Sequence, residues 1–161
     1  VQDCVIETDL EILIPETYVN NTSERLQLYA RLDNIKNEDQ LEKFSAELRD
    51  RFGDIPESVH ELINSVRLRW LGEKVGFEKL ALKGGKLRGY FVSNKEEYFN
   101  SAMFSQVLKY VQAHPRSCKL REHTGKPLLI IDPVNHVESA IELLHHMMGL
   151  EYKSANEILS R

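Results

Sequence analysis

Twice in its second half the chain sets a glycine-containing turn between two strand-like runs and follows the pair with a segment patterned as a helix. The first pair is "FEKLALKGGKLRGYFV", in which polar and apolar residues alternate on either side of Gly84-Gly85, a dipeptide that tolerates the positive φ of a tight hairpin. Asn100 or Ser101 then caps a helix carrying Phe104, Val107, Leu108 and Val111, which Pro115 ends. The second pair is "SCKLREHTGKPLLIID", turning at Thr124-Gly125, and its helix carries Val137, Ile141, Leu144 and Met148 before Gly149 stops it. A half-buried strand has to hide one face, and in the first pair alternation marks that face. The expected product is a ββαββα unit: one mainly antiparallel sheet with helices packed on it.

The first half carries helical punctuation instead. Asn21 with Glu24, and Asn37 with Gln40, place an amide side chain and an acceptor three residues apart, the spacing of a capping box. Leu28, Leu32 and Ile35 mark one face of the first helix, which is expected to run to about Asn34. Leu41, Phe44, Leu48 and Phe52 form a narrow stripe on the second, which Gly53 closes. After "GDIP", Pro56 suits a first helical turn, and Val59, Leu62, Ile63, Val66 and Trp70 continue a third helix until Gly76. The fold class expected is α+β, an N-terminal helical lobe followed by the ββαββα unit. "CVIETDLEILIPETYV", closed by Pro15, reads as an extended arm or edge strand. The boundaries drawn are an arm or linker over residues 1–22, a single α+β domain over 23–149 and a polar tail over 150–161.

With 161 residues the chain has the length of one domain. A formal net charge of −4 gives no general attraction to nucleic acid or anionic membrane, although a local basic patch remains compatible with it. Cys4 and Cys118 are too few for a zinc framework or a disulfide scaffold, which leads to the expectation of a reducing cytoplasm. No apolar run is long enough to span a bilayer, and "VQDCVIETDL" lacks the pattern of a signal peptide. The start at Val1 and the polar end "EYKSANEILSR" lead to the expectation of a piece of something longer.

Catalytic chemistry finds no signature. "LKGGKLRG" lacks the four-residue spacing between glycines and the hydroxyl residue after lysine that a phosphate loop needs. His145 and His146 are adjacent, so on a helix they point about 100° apart, and no metal site is expected. No serine or cysteine sits in a nucleophile signature, and the chain is expected not to be an enzyme and to hold no cofactor of its own. Arg67, Arg69 and Lys74 make the helix over 56–75 somewhat basic; they are candidate phosphate contacts for a nucleic-acid-binding module, against the plainer reading of a solvated helix face. In "ELRDRFGDIPESV", Asp50 falls nearly opposite the buried stripe of its helix and Glu47 lies on its shoulder, so both carboxylates should reach solvent. Lys43 and Arg51 each sit four residues from Glu47, which by itself describes a surface network worth ~0.3–0.5 kcal/mol per pair.

The order of "IPETYVNNTSERLQLYARLDNIKNEDQLE", "ELRDRFGDIPESV" and the leucine-rich helix after it resembles the C-terminal domain of the bacterial transcription-repair coupling factor, over roughly residues 8–148. The resemblance implies a parent that is an ATP-dependent DNA translocase, which pushes stalled RNA polymerase off damaged DNA and recruits the UvrA component of nucleotide excision repair. ATP and magnesium would belong to that parent's motor, as would its contact with DNA. This chain would be the terminal regulatory domain. It would pack on the N-terminal UvrA-like module of the same polypeptide, mask the UvrA-binding surface and restrain the motor until RNA polymerase is engaged. The family makes that contact with the two acids of an "ELxD" motif against arginines. They match Glu47 and Asp50, with Arg51, Phe52 and Gly53 matching beside them and Arg49 at a position where an apolar residue is common.

Overall fold

A computed structural model of the chain describes residues 3–92 and 96–149, and the tail expected over 150–161 lies outside them. The chain divides into two compact units, one formed by residues 10–67 and the other by residues 3–9 together with those from 68 onward.

The first unit is helical. α1 (Thr22–Asp33) starts where the Asn21 side chain accepts the Glu24 N–H at 2.9 Å, and α2 (Glu38–Phe52) starts where Asn37 accepts the Gln40 N–H at 2.9 Å. Only this half of each expected capping box forms as drawn. The Gln40 side chain accepts from Lys36 N–H at 2.8 Å, one residue before the cap, and Glu24 turns to Arg51, whose full charge outbids a backbone amide. Gly53 ends α2 at φ +87°, a value that strains a residue with a Cβ, and its N–H donates to Arg49 O at 3.0 Å. Pro56 O then receives the N–H groups of Val59 and His60, opening α3 (Glu57–Val75). Leu28, Leu32, Leu41, Phe44, Leu48, Val59 and Ile63 are buried as the periodicity requires.

The segment before α1 belongs to this unit rather than hanging from it. Ile14 and Val19 are buried, Tyr29 Oη accepts the Ile14 N–H at 2.7 Å, and Arg25 donates to Val19 O at 2.7 Å. The Tyr18 hydroxyl lies 2.8 Å from Gly53 O and 3.1 Å from Leu48 O, sharing its one proton between two carbonyls at the end of α2. Thus the described part of the stretch read as an arm over 1–22 contributes packing, because its apolar residues and backbone groups find partners that only the tertiary fold supplies.

The second unit is a five-stranded sheet in the order β1-β2-β3-β5-β4, with helices on one face. β2 (Phe77–Lys83) and β3 (Lys86–Phe91) form the first hairpin, and β4 (Cys118–His123) and β5 (Lys126–Ile131) form the second. β3 pairs antiparallel with β5 and joins them. β1 (Val5–Thr8) adds at the edge, parallel to β2, where the Thr8 hydroxyl donates to Leu82 O at 2.7 Å. Alternate residues Leu80, Leu82, Leu87, Phe91, Leu129 and Ile131 are buried on one face, together with Leu71 and Val75 of α3 and most apolar residues of α6 (Val137–Met147). The expected ββαββα pattern is present with one addition, the single turn α4 (Glu96–Phe99) before α5 (Ala102–Ala113). α4 supplies Tyr98 and Phe99 to an aromatic cluster with Phe77, Phe91 and Phe104. Gly89 is required here: a Cβ on it would overlap the Phe77 ring.

Candidate partner-interaction site

The C-terminal half of α2 is built by one stripe. Leu41, Phe44 and Leu48 are buried, which leaves Glu47 half-buried on the shoulder and Asp50 exposed on the far side, as the helical spacing requires. The two acids have different surroundings. Glu47 Oε2 pairs with Arg31 of α1 and lies 3.9 Å from Arg51 of its own helix, and Arg51 in turn pairs with Glu24 of α1. The guanidinium groups are also seated on aromatic faces, Arg31 at 5.3 Å over Phe44 and Arg51 at 4.7 Å over Phe52. The result is a chain of alternating charge, Glu24–Arg51–Glu47–Arg31, which ties the end of α2 to α1.

Asp50 stands outside that chain. It makes no ion pair among the described residues and projects into solvent. Its neighbour Arg49 is likewise exposed and without an ion pair among the described residues, though it acts on the Tyr18 phenol. Burial raises that phenol above its ordinary range, Arg49 lowers it and Asp54 raises it, so at neutral pH Tyr18 keeps the proton it donates to the end of α2. Beside Glu47 an open groove of about 470 Å³ runs between α1 and α2, with Ile35 and Phe44 in its floor and Arg31, Lys43 and Glu47 at its rim.

The arginines of α3 are placed apart. Arg67 is held by Glu38 in a two-pronged contact, Nε to Oε1 at 2.7 Å and Nη2 to Oε2 at 2.8 Å, and also donates to Asn64 at 2.8 Å. Arg69, two residues on, points about 200° around the helix from it. The structure therefore does not bring Arg67 and Arg69 onto one face.

Cys4 is buried, and desolvation with help from Glu73 pushes its thiol up to about 12; burial also raises Cys118. Among the described residues no group of three histidine, cysteine, aspartate or glutamate side chains is disposed to hold a metal ion. No described helix is long and apolar enough to cross a membrane. What sequence reasoning missed at the candidate site is Arg31 and Glu24. Their sequence distance from α2 hides a contact that depends on how α1 packs, and the only trace is their position on the turns that carry Leu28 and Leu32.

Comparison with known proteins bears on most of the chain. A family model described as the TRCF domain matches residues 8–102. Curated relatives named transcription-repair-coupling factor include that of Rickettsia prowazekii, 30% identical over 116 residues and 72% of this chain, and that of Escherichia coli, 30% identical over 115 residues and 71% of the chain. The factor of Borreliella burgdorferi is 26% identical over 151 residues, 86% of the chain. These alignments span 10%, 10% and 13% of the relatives' own lengths. Among solved structures, a crystal structure of the C-terminal domain of transcription-repair coupling factor superposes with a TM-score of 0.72 at 19% identity, covering 92% of this chain and 95% of that one. The chain belongs to the TRCF domain family, the family of the transcription-repair coupling factors, and carries the fold of that factor's C-terminal domain.

Proposed function

We propose that the chain is a non-catalytic regulatory domain that docks Glu47 and Asp50 onto a basic surface of the N-terminal UvrA-like module of its own polypeptide. Docking masks the UvrA-binding surface and restrains a DNA-translocating motor until RNA polymerase is engaged. ATP and magnesium act at that motor, and the setting is the cytoplasm. The observation that carries this reading is Asp50: an exposed carboxylate with no ion pair among the described residues, three residues from an acid that two arginines already hold in place. On this reading Asp50 makes the new charge-assisted contact, and Glu47, steadied by Arg31 and Arg51, supplies the second.

The local charge argues for a weak contact. Glu24, Glu47 and Asp50 are balanced by Arg31, Arg49 and Arg51, so the α2 terminus presents acids within a neutral surround rather than an acidic patch. Weakness suits a lock. Joined in one polypeptide, two modules see an effective concentration on the order of 1 mM, so an isolated Kd of about 100 µM leaves roughly nine-tenths of molecules closed. A competing partner need then prefer the open state by only a few kcal/mol to reverse the balance.

The test is a titration of this chain with the separately produced N-terminal module, comparing wild type with Glu47→Lys/Asp50→Lys, with circular dichroism to confirm that both fold. Salt-sensitive binding lost in the folded variant is the expected result. Equal binding by the two would place the interface elsewhere. The reading of α3 as a nucleic-acid-binding helix is weaker, because Arg67 is already engaged by Glu38.

A further inference from the structure

The sheet has a second face, and its composition departs from that of the chain. Across the strands, paired residues share a face, so the register puts Lys119 and Arg121 of β4 beside Ile130 and Leu128 of β5, and these beside Arg88 and Tyr90 of β3. Lys126 closes the second hairpin on the same side. Toward β2 the same face carries Lys79, Lys83 and Lys86, and the register places one carboxylate there, Glu7 of β1. Seven bases and one acid thus lie on one side of a sheet, in a chain whose formal net charge is −4.

Internal pairing divides these bases. Glu7 lies 3.9 Å from Lys79 and 3.3 Å from Lys83, and Asp132 lies 3.9 Å from Lys86. Arg88, Lys119, Arg121 and Lys126 have no ion pair among the described residues, and the last three are exposed. Lys119 and Arg121 are two residues apart on one strand, about 6.8 Å, and Arg88 lies two strands across from Lys119, about 9.6 Å. The step along β4 is of the size between successive phosphates of an extended nucleic-acid strand. Between the bases, Tyr90 and Ile130 are partly exposed, and Tyr90 is steadied by the Lys79 ammonium 4.4 Å from its ring centre.

Lysines on an edge strand also serve to block strand-to-strand aggregation. That role accounts for Lys119 on β4 but not for Arg88, which lies on the central strand β3, nor for Lys126 on β5. A face kept only for solubility would mix the two signs.

We propose that this face, centred on Arg88, Lys119, Arg121 and Lys126 with Tyr90 and Ile130 between them, binds single-stranded nucleic acid through its phosphates without sequence preference. A flat basic surface holding an aromatic ring suits a strand whose bases are free to lie against it. The face belongs to the sheet unit and is independent of the docking assigned to Glu47 and Asp50.

The test is fluorescence anisotropy of a labelled oligothymidine of about 20 nucleotides titrated with the full chain. Four phosphate contacts give a slope of log Kobs against log salt of about −3, which is about 50-fold weaker binding at 200 mM than at 50 mM salt. Arg88→Glu/Lys119→Glu, confirmed folded by circular dichroism, should roughly halve the slope and weaken binding at least tenfold. Lys36→Glu/Lys43→Glu makes the same charge change in the helical unit and should leave binding within about twofold. Absence of binding at low salt would overturn the proposal, as would equal loss in both variants. Tighter binding of a duplex of equal length would reject the preference for a single strand. Equal competition by polyglutamate would replace nucleic acid with an acidic peptide as the partner.

Discussion

Replacing Asp50 with alanine should make the domain more stable while weakening docking. Asp50 sits in the last turn of α2, two residues before its end at Phe52, where the helix macrodipole is negative and a carboxylate is unfavourable by ~0.3–1 kcal/mol. It lies three residues from Glu47 on the same helix, a like-charge spacing that costs about 0.2–0.5 kcal/mol. Alanine is also the better helix former by up to about 0.7 kcal/mol, less in a terminal turn. Nothing offsets these terms, since Asp50 makes no ion pair among the described residues. The expected gain is about 1 kcal/mol, or 2–4 °C in the thermal midpoint for a chain of this size. Asp50→Asn removes only the charge and should recover about half of it, a share that shrinks in about 1 M salt as the field is screened. Glu47→Ala should go the other way by about 0.5–1.5 kcal/mol, because it removes two half-exposed ion pairs and leaves Arg31 unpaired with it. Thermal and urea melts followed by circular dichroism decide the matter. A loss of more than about 0.5 kcal/mol in Asp50→Ala would mean that the residue supports the fold, and the argument that it is held out for a partner would fail.

Two further outcomes follow from the sheet unit. Gly89→Ala forces its new methyl group into the Phe77 ring and should lower stability by about 1–3 kcal/mol in urea melts; an unchanged midpoint would show that the aromatic cluster yields freely. Cys4 should react with an aromatic disulfide at pH 8 only as fast as the chain opens, because burial keeps it protonated up to about pH 12; since the folded thiol is raised above its ordinary value of 9.0, its contribution is full below pH 9 and is lost as pH climbs toward 12. An immediate reaction of Cys4 in the folded chain would refute that.

Much of the secondary structure is carried by local chemistry. Asn21, Asn37 and Ser101 cap the helices at which they stand because their side chains reach an amide three residues on, and Gly53 and Gly84-Gly85 turn where positive φ is needed. Local chemistry cannot see partners. Lys43 and Arg51 both stood at ion-pair spacing from Glu47; Arg51 lies 3.9 Å from it, but Lys43 pairs with Asp39 and Glu47 also pairs with Arg31, a choice made by the packing of α1 on α2. The division into two units was equally hidden, because β1 reads as an isolated edge until its register with β2 is known. β3 and β4 each show a period of two in their own sequence, as in Lys86, Arg88 and Tyr90. Only the pairing of β3, β5 and β4 adds those periods into one surface.

The parallel pairing of β1 with β2 also sets a timetable. Thr8 and Leu82, which meet in the sheet, are 74 residues apart in the chain. At a synthesis rate of about 5–20 residues per second, β1 therefore waits roughly 4–15 s after it is made before its partner strand exists. Everything between Leu10 and Arg67 is complete well before then, and that helical unit closes on contacts short in sequence, which form in milliseconds or less. The earliest strand of the sheet can therefore be placed only after the whole helical unit between it and its partner has been made.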